Sequence, residues 1–470
     1  MTTQRYDTLI VGAGSAGCVL AARLTEDPSR SVLLVEAGPD LRTTTRPEAI
    51  AGSDFHAALA EPDRTWPDLW ARTTSAQAPR VYPRGRGIGG SSAVNALVGL
   101  LGMHDDYDRW ASVYGCDGWA WHDLAPLVDR IAVPRRAARR HEWGVVCSAL
   151  MEAAAEPSVI EGIGIGPALL TRDEDGRRVS AADAYLDPAR ERSNLTVRTE
   201  AAAVRVLLDG RSAVGVELAG GEVVEAAEVI ISAGAIHSPA LLLASGVDRP
   251  GVGQGLQDHA AAPLALGLRE GIGHRTDGLA IASLAIFSSG RMLADLQLLP
   301  ISHVGPAAPD LGILSVALMH VTSRGSVSLG PDADAARPVV DLGVLADEGD
   351  VDALVAGVRR ALEVLDTPSF RRIVSAVYLD DQGTTIDHLG ADRDDVAAWL
   401  LTRAGDYVHA SGTCRMGRSD DDAAVVDTDL RVIGYEGLRV CDASVFPELP
   451  RANTHLPTVL VAEALAARLT

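Results

Sequence analysis

An α/β fold that opens on a Rossmann-like dinucleotide-binding unit is what this sequence predicts, and three stretches predict it. The first is YDTLIVGAGSAGCVLAARL (6–24), which reads as a short apolar strand, a glycine turn and an amphipathic helix. The second is SVLLVEAG (31–38), another buried strand, ending at Glu36. The third is RTEAAAVRVLLDGRSAVGVELAGG (198–221), a β-meander with DG and GG turns that forms a small inserted sheet.

In the first stretch Gly12, Gly14 and Gly17 satisfy G-x-G-x-x-G, with Ser15 and Ala16 in the same turn. Gly12 makes the turn, Gly14 lets the backbone approach a pyrophosphate, and Gly17 lets helix and strand pack closely. The positive N-terminus of the helix then faces the phosphates. Glu36 stands 19 residues beyond Gly17, where a carboxylate accepts hydrogen bonds from an adenosine ribose. An acidic residue there suits an unphosphorylated ribose, so FAD or NAD is expected rather than NADP.

A chain of 470 residues suggests two closely connected domains, and 47% hydrophobic residues supply their cores. DVDALVAGVRRALEVL (350–365) has apolar residues at helical spacing and predicts a helix. The formal charge of −21 argues against a nucleic-acid partner and against docking on an anionic membrane. All 42 basic residues are arginine, a trait of GC-rich coding; the run Arg135–Arg140 reads as a solvated or ion-paired loop. No run of 18 apolar residues predicts a membrane span, and a strand beginning at Tyr6 leaves no room for a signal peptide. The five cysteines (18, 116, 147, 414 and 441) show neither CxxC nor Cys/His metal spacing. Reduced thiols, a cytoplasmic location and no metal site are therefore expected.

YPRGRGIGGSSAVNALVG (82–99) is dense in glycine and interleaved with apolar residues, as a backbone lying against a ligand would be. Together with GAGSAG it resembles the first signature of the glucose–methanol–choline (GMC) oxidoreductases, which are FAD enzymes. SAGAIHSPALLLASGV (232–247) is similar to their second signature and PGVGQGLQDH (250–259) to the segment after it. SRGSVSLGPDADAARPVVDLGVL (323–345), HASGTCRMG (409–417) and LRVCDASVFPELPRANTHLPT (438–458) match the later motifs in order. The resemblance implies a discontinuous FAD-binding domain (1–135, 190–260 and 425–470). It also implies an α+β substrate-binding domain on an antiparallel sheet (136–189 and 261–424).

Residue roles follow from the same resemblance. It implies that Gly12, Gly14, Ser15, Ala16 and Gly17 face the pyrophosphate and Glu36 the ribose. The backbone at Ala203 would contact the adenine, and Gly90, Asn95, Ala96, Leu97 and Val98 would lie along the isoalloxazine. Asp442 and Ala443 would meet the ribityl–pyrophosphate region, with further contacts at Ala37, Arg86, Ala233, Gly234, Thr454 and His455. Val94 stands where covalent members carry a flavin-linking histidine, so non-covalent FAD is expected.

The reaction implied is oxidation of a small-molecule alcohol, with hydride passing to flavin N5 and the hydroxyl proton to a base. Histidine has a suitable pKa for that base. His409, in H-x-x-GT, matches the family's catalytic histidine; Asn453, 44 residues later, would hydrogen-bond the substrate oxygen. His455 is expected to act mainly through its backbone, and His237 and His259 to cap or pack. The acceptor is O2 or a dedicated redox partner. Alternatives are a hydroxynitrile-lyase activity on the same scaffold, a dehydrogenase serving a peptide-derived cofactor (mycofactocin), and a non-catalytic or NAD-binding protein. With aromatics at 4% of the chain, a pocket that selects flat alcohols by stacking is disfavoured.

Overall fold

Strand β1 (Tyr6–Val11), whose last four residues are buried, leads through the Gly12 turn into helix α1 (Ser15–Leu24). Two glycines make that turn possible. Gly12 has φ +100°, and a Cβ on Gly17 would lie 1.9 Å from the Gly12 carbonyl oxygen. The computed structural model describes residues 5–153, 164–272, 278–305, 308–331, 334–335 and 337–470, so part of the 323–345 motif and of the predicted domains lies outside the described residues.

Strand β2 (Val32–Val35) pairs parallel to β1, and β3 (Leu195–Arg198) parallel to β2. The meander follows as predicted, from β4 (Ala203–Asp209) and β5 (Ser212–Leu218) into the long β6 (Val223–Ile231). The second half of β6 lies parallel to β1 on one side and to β7 (Leu438–Val440) on the other. A parallel order β3-β2-β1-β6-β7 results. The register pairs Val11 with Val35 and with Ile231, and Ile231 with Val440. All four strand ends are therefore level, and the loops beyond them meet at one edge. This is where open α/β sheets bind ligands.

Helix α2 (Gly234–Ala244) follows β6. The second sheet is antiparallel, in the order 374–378, 260–268, 311–318, 296–301, 283–287, 164–167. Helix α3 (Glu348–Leu365) covers it, begins two residues before the predicted start, and is capped by Asp347 accepting from Gly349 N (2.9 Å). A Cβ on Gly357 would come within 2.7 Å of Val316, so glycine sets how closely α3 approaches the sheet. Both predicted layers, Rossmann-like and antiparallel, are present. The basic run is ion-paired in part, through Arg136 and Glu174 (2.9 Å).

The last helix, α4 (His455–Leu469), packs against α1. Buried Glu463 of α4 accepts from Arg23 of α1 (2.8 Å) and from the Tyr185 hydroxyl (2.8 Å). All five cysteines are buried and free, and no described helix is long and apolar enough to cross a membrane. Replacing Gly17 by Ala should destabilise the fold by roughly 1–3 kcal/mol, the usual cost of overpacking. Denaturant unfolding of the variant measures it, and an unchanged midpoint would contradict the packing described.

Candidate active site

The level strand ends open into a cavity of about 600 Å³. The first turn contributes Gly12, Gly14, Ser15 and Ala16 to its wall, and the end of β2 contributes Glu36 and Ala37. Gly90, Val94 and residues 95–98 form a second side, Ala203, Ala233 and Gly234 a third. Asp442, Ala443, Asn453, Thr454, His455 and His409 complete it.

Two expected cofactor contacts stand off this wall. Gly17 is turned into the strand–helix packing, where its missing side chain admits the Gly12 carbonyl. Arg86 donates from Nη2 to the Ala37 carbonyl (2.9 Å) and lies over the Trp66 ring, bracing the end of β2. Sequence spacing alone did not separate wall from support.

Glu36 is buried and accepts three backbone N–H groups, from Ala13 (2.8 Å), Gly38 (2.9 Å) and Gly87 (2.9 Å). A carboxylate offers about four acceptor sites, which leaves capacity for a ribose hydroxyl. Asp442 both caps the short turn Ala443–Val445, accepting from Ser444 N (2.8 Å), and holds the second signature through Gly234 N (2.8 Å) and Ser238 Oγ (2.5 Å).

At the other end stand His409 and Asn453, with Asn453 Nδ2 3.4 Å from His409 Nε2. The far nitrogen of His409, Nδ1, meets His259 Nδ1 at 2.9 Å with the rings nearly perpendicular. Expected to cap or pack, His259 instead touches the candidate base; 150 residues separate the two, so no local pattern betrays the contact. Burial, with His259 and Arg84 alongside, holds His409 well below the usual histidine range. Burial also pulls His259 down to about 3. Asp258 accepts the backbone N–H of His409 (2.9 Å) and the Tyr82 hydroxyl (2.7 Å), fixing the segment that presents His409. Burial and neighbouring Asp406 push the Asp258 carboxyl up to about 7.

Besides any backbone contact, the His455 side chain is engaged: Nδ1 lies 2.9 Å from Ser15 Oγ at the start of α1. His237 stacks on Trp66, with ring centroids 4.1 Å apart. Phe55, Trp66 and Tyr407 all reach the cavity, so the wall is richer in aromatics than the composition suggests.

The wall suits FAD on two counts. A Cβ on Gly14 or Gly234 would meet nothing within 4 Å, so backbone is bared to the cavity at both signatures. Four buried polar atoms of the lining have no partner: Ser232 Oγ, His237 Nε2, Asn453 Oδ1 and His455 Nε2. Buried polar groups are rarely left unpaired without a ligand to meet them. The N-terminus of α1 adds free N–H donors for a pyrophosphate.

Comparison with known proteins agrees. The family profile for GMC oxidoreductases matches residues 6–261 in its N-terminal part and 321–462 in its C-terminal part. A 5-(hydroxymethyl)furfural oxidase of Methylovorus sp. (strain MP688) is 33% identical, over 99% of this chain and 99% of the relative. An oxygen-dependent choline dehydrogenase of Burkholderia multivorans is 33% identical, over 99% and 94%. The crystal structure of pyridoxine 4-oxidase from Mesorbium loti superposes with a TM-score of 0.86 at 28% identity, covering 99% of each chain. The chain belongs to the GMC oxidoreductase family and is an FAD-dependent alcohol oxidoreductase.

Proposed function

We propose that the protein oxidises a primary alcohol to the carbonyl compound, with His409 as general base and Asn453 holding the substrate oxygen. The observation that carries this reading is the line His259–His409–Asn453 ending at the cavity. Hydroxymethylfurfural and choline, named in the relatives, share a primary alcohol group. The relatives' names also specify oxidase or oxygen-dependent activity, which supports O2 as the acceptor here.

The histidine pair supports one arrangement of the protons. Two neutral imidazoles in Nδ1–Nδ1 contact use one N–H and one lone pair. In this reading His259 accepts at Nδ1, His409 donates from Nδ1, and His409 Nε2 keeps a lone pair beside Asn453. That lone pair takes the hydroxyl proton, while Asn453 Nδ2 donates to the substrate oxygen as negative charge develops on it. FAD, when bound, supplies the hydride acceptor. Phe55, Tyr407, Ile281, Leu299 and Ile301 give the substrate an apolar, water-poor chamber. Here a flat hydroxymethyl compound packs better than a hydrated one.

The FAD-binding domain in this reading is 1–135, 190–260 and 425–470, because the parallel sheet draws its strands from those ranges. The substrate-binding domain is 136–189 and 261–424. FAD is held non-covalently, since Val94 puts an alkyl side chain on the wall.

Anaerobic mixing with a panel of primary alcohols should bleach the flavin, and air should restore its colour; a flavin that stays oxidised with every alcohol overturns the reading. His409→Ala should slow bleaching by about 10²–10⁴-fold, the usual scale for one general base. A histidine pKa held low keeps the base neutral in acid. The wild-type bleaching rate should therefore stay level as pH falls through about 6.5, where an ordinary histidine would protonate. Stopped-flow absorbance checks both. Acid precipitation should leave the yellow colour in the supernatant; a yellow pellet would mean a covalent link. Gly14→Ala has room for its methyl group and an ordinary φ of −80°. It should unfold within about 0.5 kcal/mol of wild type, a typical limit for harmless substitutions. Its FAD content should nevertheless drop, as flavin absorbance per protein will show.

A further inference from the structure

Arg178 is fully buried, yet no carboxylate bonds to it among the described residues. Its Nε donates to the Ile50 carbonyl (3.0 Å), and its Nη1 to the carbonyl (2.6 Å) and side-chain oxygen (2.8 Å) of Asn95. Nη2 has no partner among the described residues. Asp183 and Asp54 attract Arg178 from nearby without bonding to it: Asp183 is ion-paired to Arg46 (2.5 Å), and Asp54 caps its own helix at His56 N (2.9 Å). Burial lowers Arg178 only to about 10, so it remains a cation at neutral pH. A guanidinium kept out of water with no carboxylate bonded directly to it is costly.

Its position says what could repay that cost. Asn95, which it grips, and His455, which feels its charge, both face the cavity. His455 bridges by hydrogen bond to Ser15 at the pyrophosphate turn and stands two residues beyond Asn453 at the reaction centre. The same residue begins α4, whose N-terminus adds partial positive charge to this wall. One stretch of wall, between the phosphates and the reacting atoms, is thus backed by a buried cation that hydrogen-bonds no carboxylate among the described residues.

We propose that Arg178 is the counter-charge for the reduced cofactor, a residue acting through its field from behind Asn95 and His455. This rests on the functional reading above. Oxidation of the alcohol breaks its C–H and O–H bonds, sending the hydride to bound FAD and the proton to His409. One extra negative charge then resides on the cofactor, and a fixed cation beside it favours that form over the oxidised one. The guanidinium is rigid and charged at neutral pH, which fits a permanent field.

The test compares holoenzyme of wild type, Arg178→Lys and Arg178→Met. The flavin midpoint potential is read by dye equilibration, together with the affinity for sulfite, which adds to oxidised flavin and leaves it anionic. The expected result is a lower potential and sulfite binding weakened by about tenfold or more in R178M, a scale set by one nearby charge, with R178K close to wild type. A wild-type potential in R178M overturns the proposal. So does an equal shift in both variants, the mark of a structural role, or an equal loss of affinity for oxidised and reduced FAD, the mark of a pyrophosphate contact. If R178M does not fold, the reduced wild type decides: its anionic spectrum should persist as pH falls from about 8 to about 6, and a neutral spectrum across that range overturns the proposal. A flavin reducible by dithionite but by no alcohol sinks the functional reading and leaves the potential comparison intact.

Discussion

The Glu36 carboxylate accepts N–H groups from three separate turns: the fingerprint after β1, the end of β2, and the glycine-rich 82–99 segment. Each of those turns is rich in glycine and has few side chains with which to hold its neighbours. Without the carboxylate the three N–H groups would be buried and unpaired, each costing about 1–3 kcal/mol. The cavity wall from Gly12 to Val98 rests on this junction. It explains why a residue expected to bind ribose is also the fastening of the site's backbone.

A second constraint joins the two ends of the chain. The first and last helices, α1 and α4, both point their N-termini at the cavity and are bound side by side through Arg23, Glu463 and Tyr185. The His455–Ser15 contact continues that seam to the cavity itself. Two helix dipoles and the buried Arg178 charge therefore act on one small volume.

What was legible in the sequence was the part encoded locally or in ordered motifs. Gly12, Gly14 and Glu36 lie within one β–α–β unit, so spacing alone brought them to the cavity. His409 and Asn453 were legible through motif order, and they meet as the motifs imply. The His259 contact was not legible, because it is made by two segments brought together from 150 residues apart. Nor was Arg178, since nothing in a sequence marks which arginine lacks a carboxylate. Composition gives no position to the aromatics, and Phe55, Trp66 and Tyr407 reach the cavity from distant parts of the chain. Gly17 and Arg86 belong to the right motifs and serve them from behind.

All 42 cations of the chain are arginines, and many are fixed in surface ion pairs such as Arg198–Glu222 and Arg393–Asp352. An enzyme that oxidises alcohols works in contact with carbonyl products, which can condense with lysine ε-amines to Schiff bases. Guanidinium groups are far weaker nucleophiles at neutral pH because they stay protonated. A surface without lysine keeps its charges, and its ion pairs, in the presence of its own product. Whatever selected the codons, the outcome is a catalyst chemically quiet toward the carbonyl compound it releases.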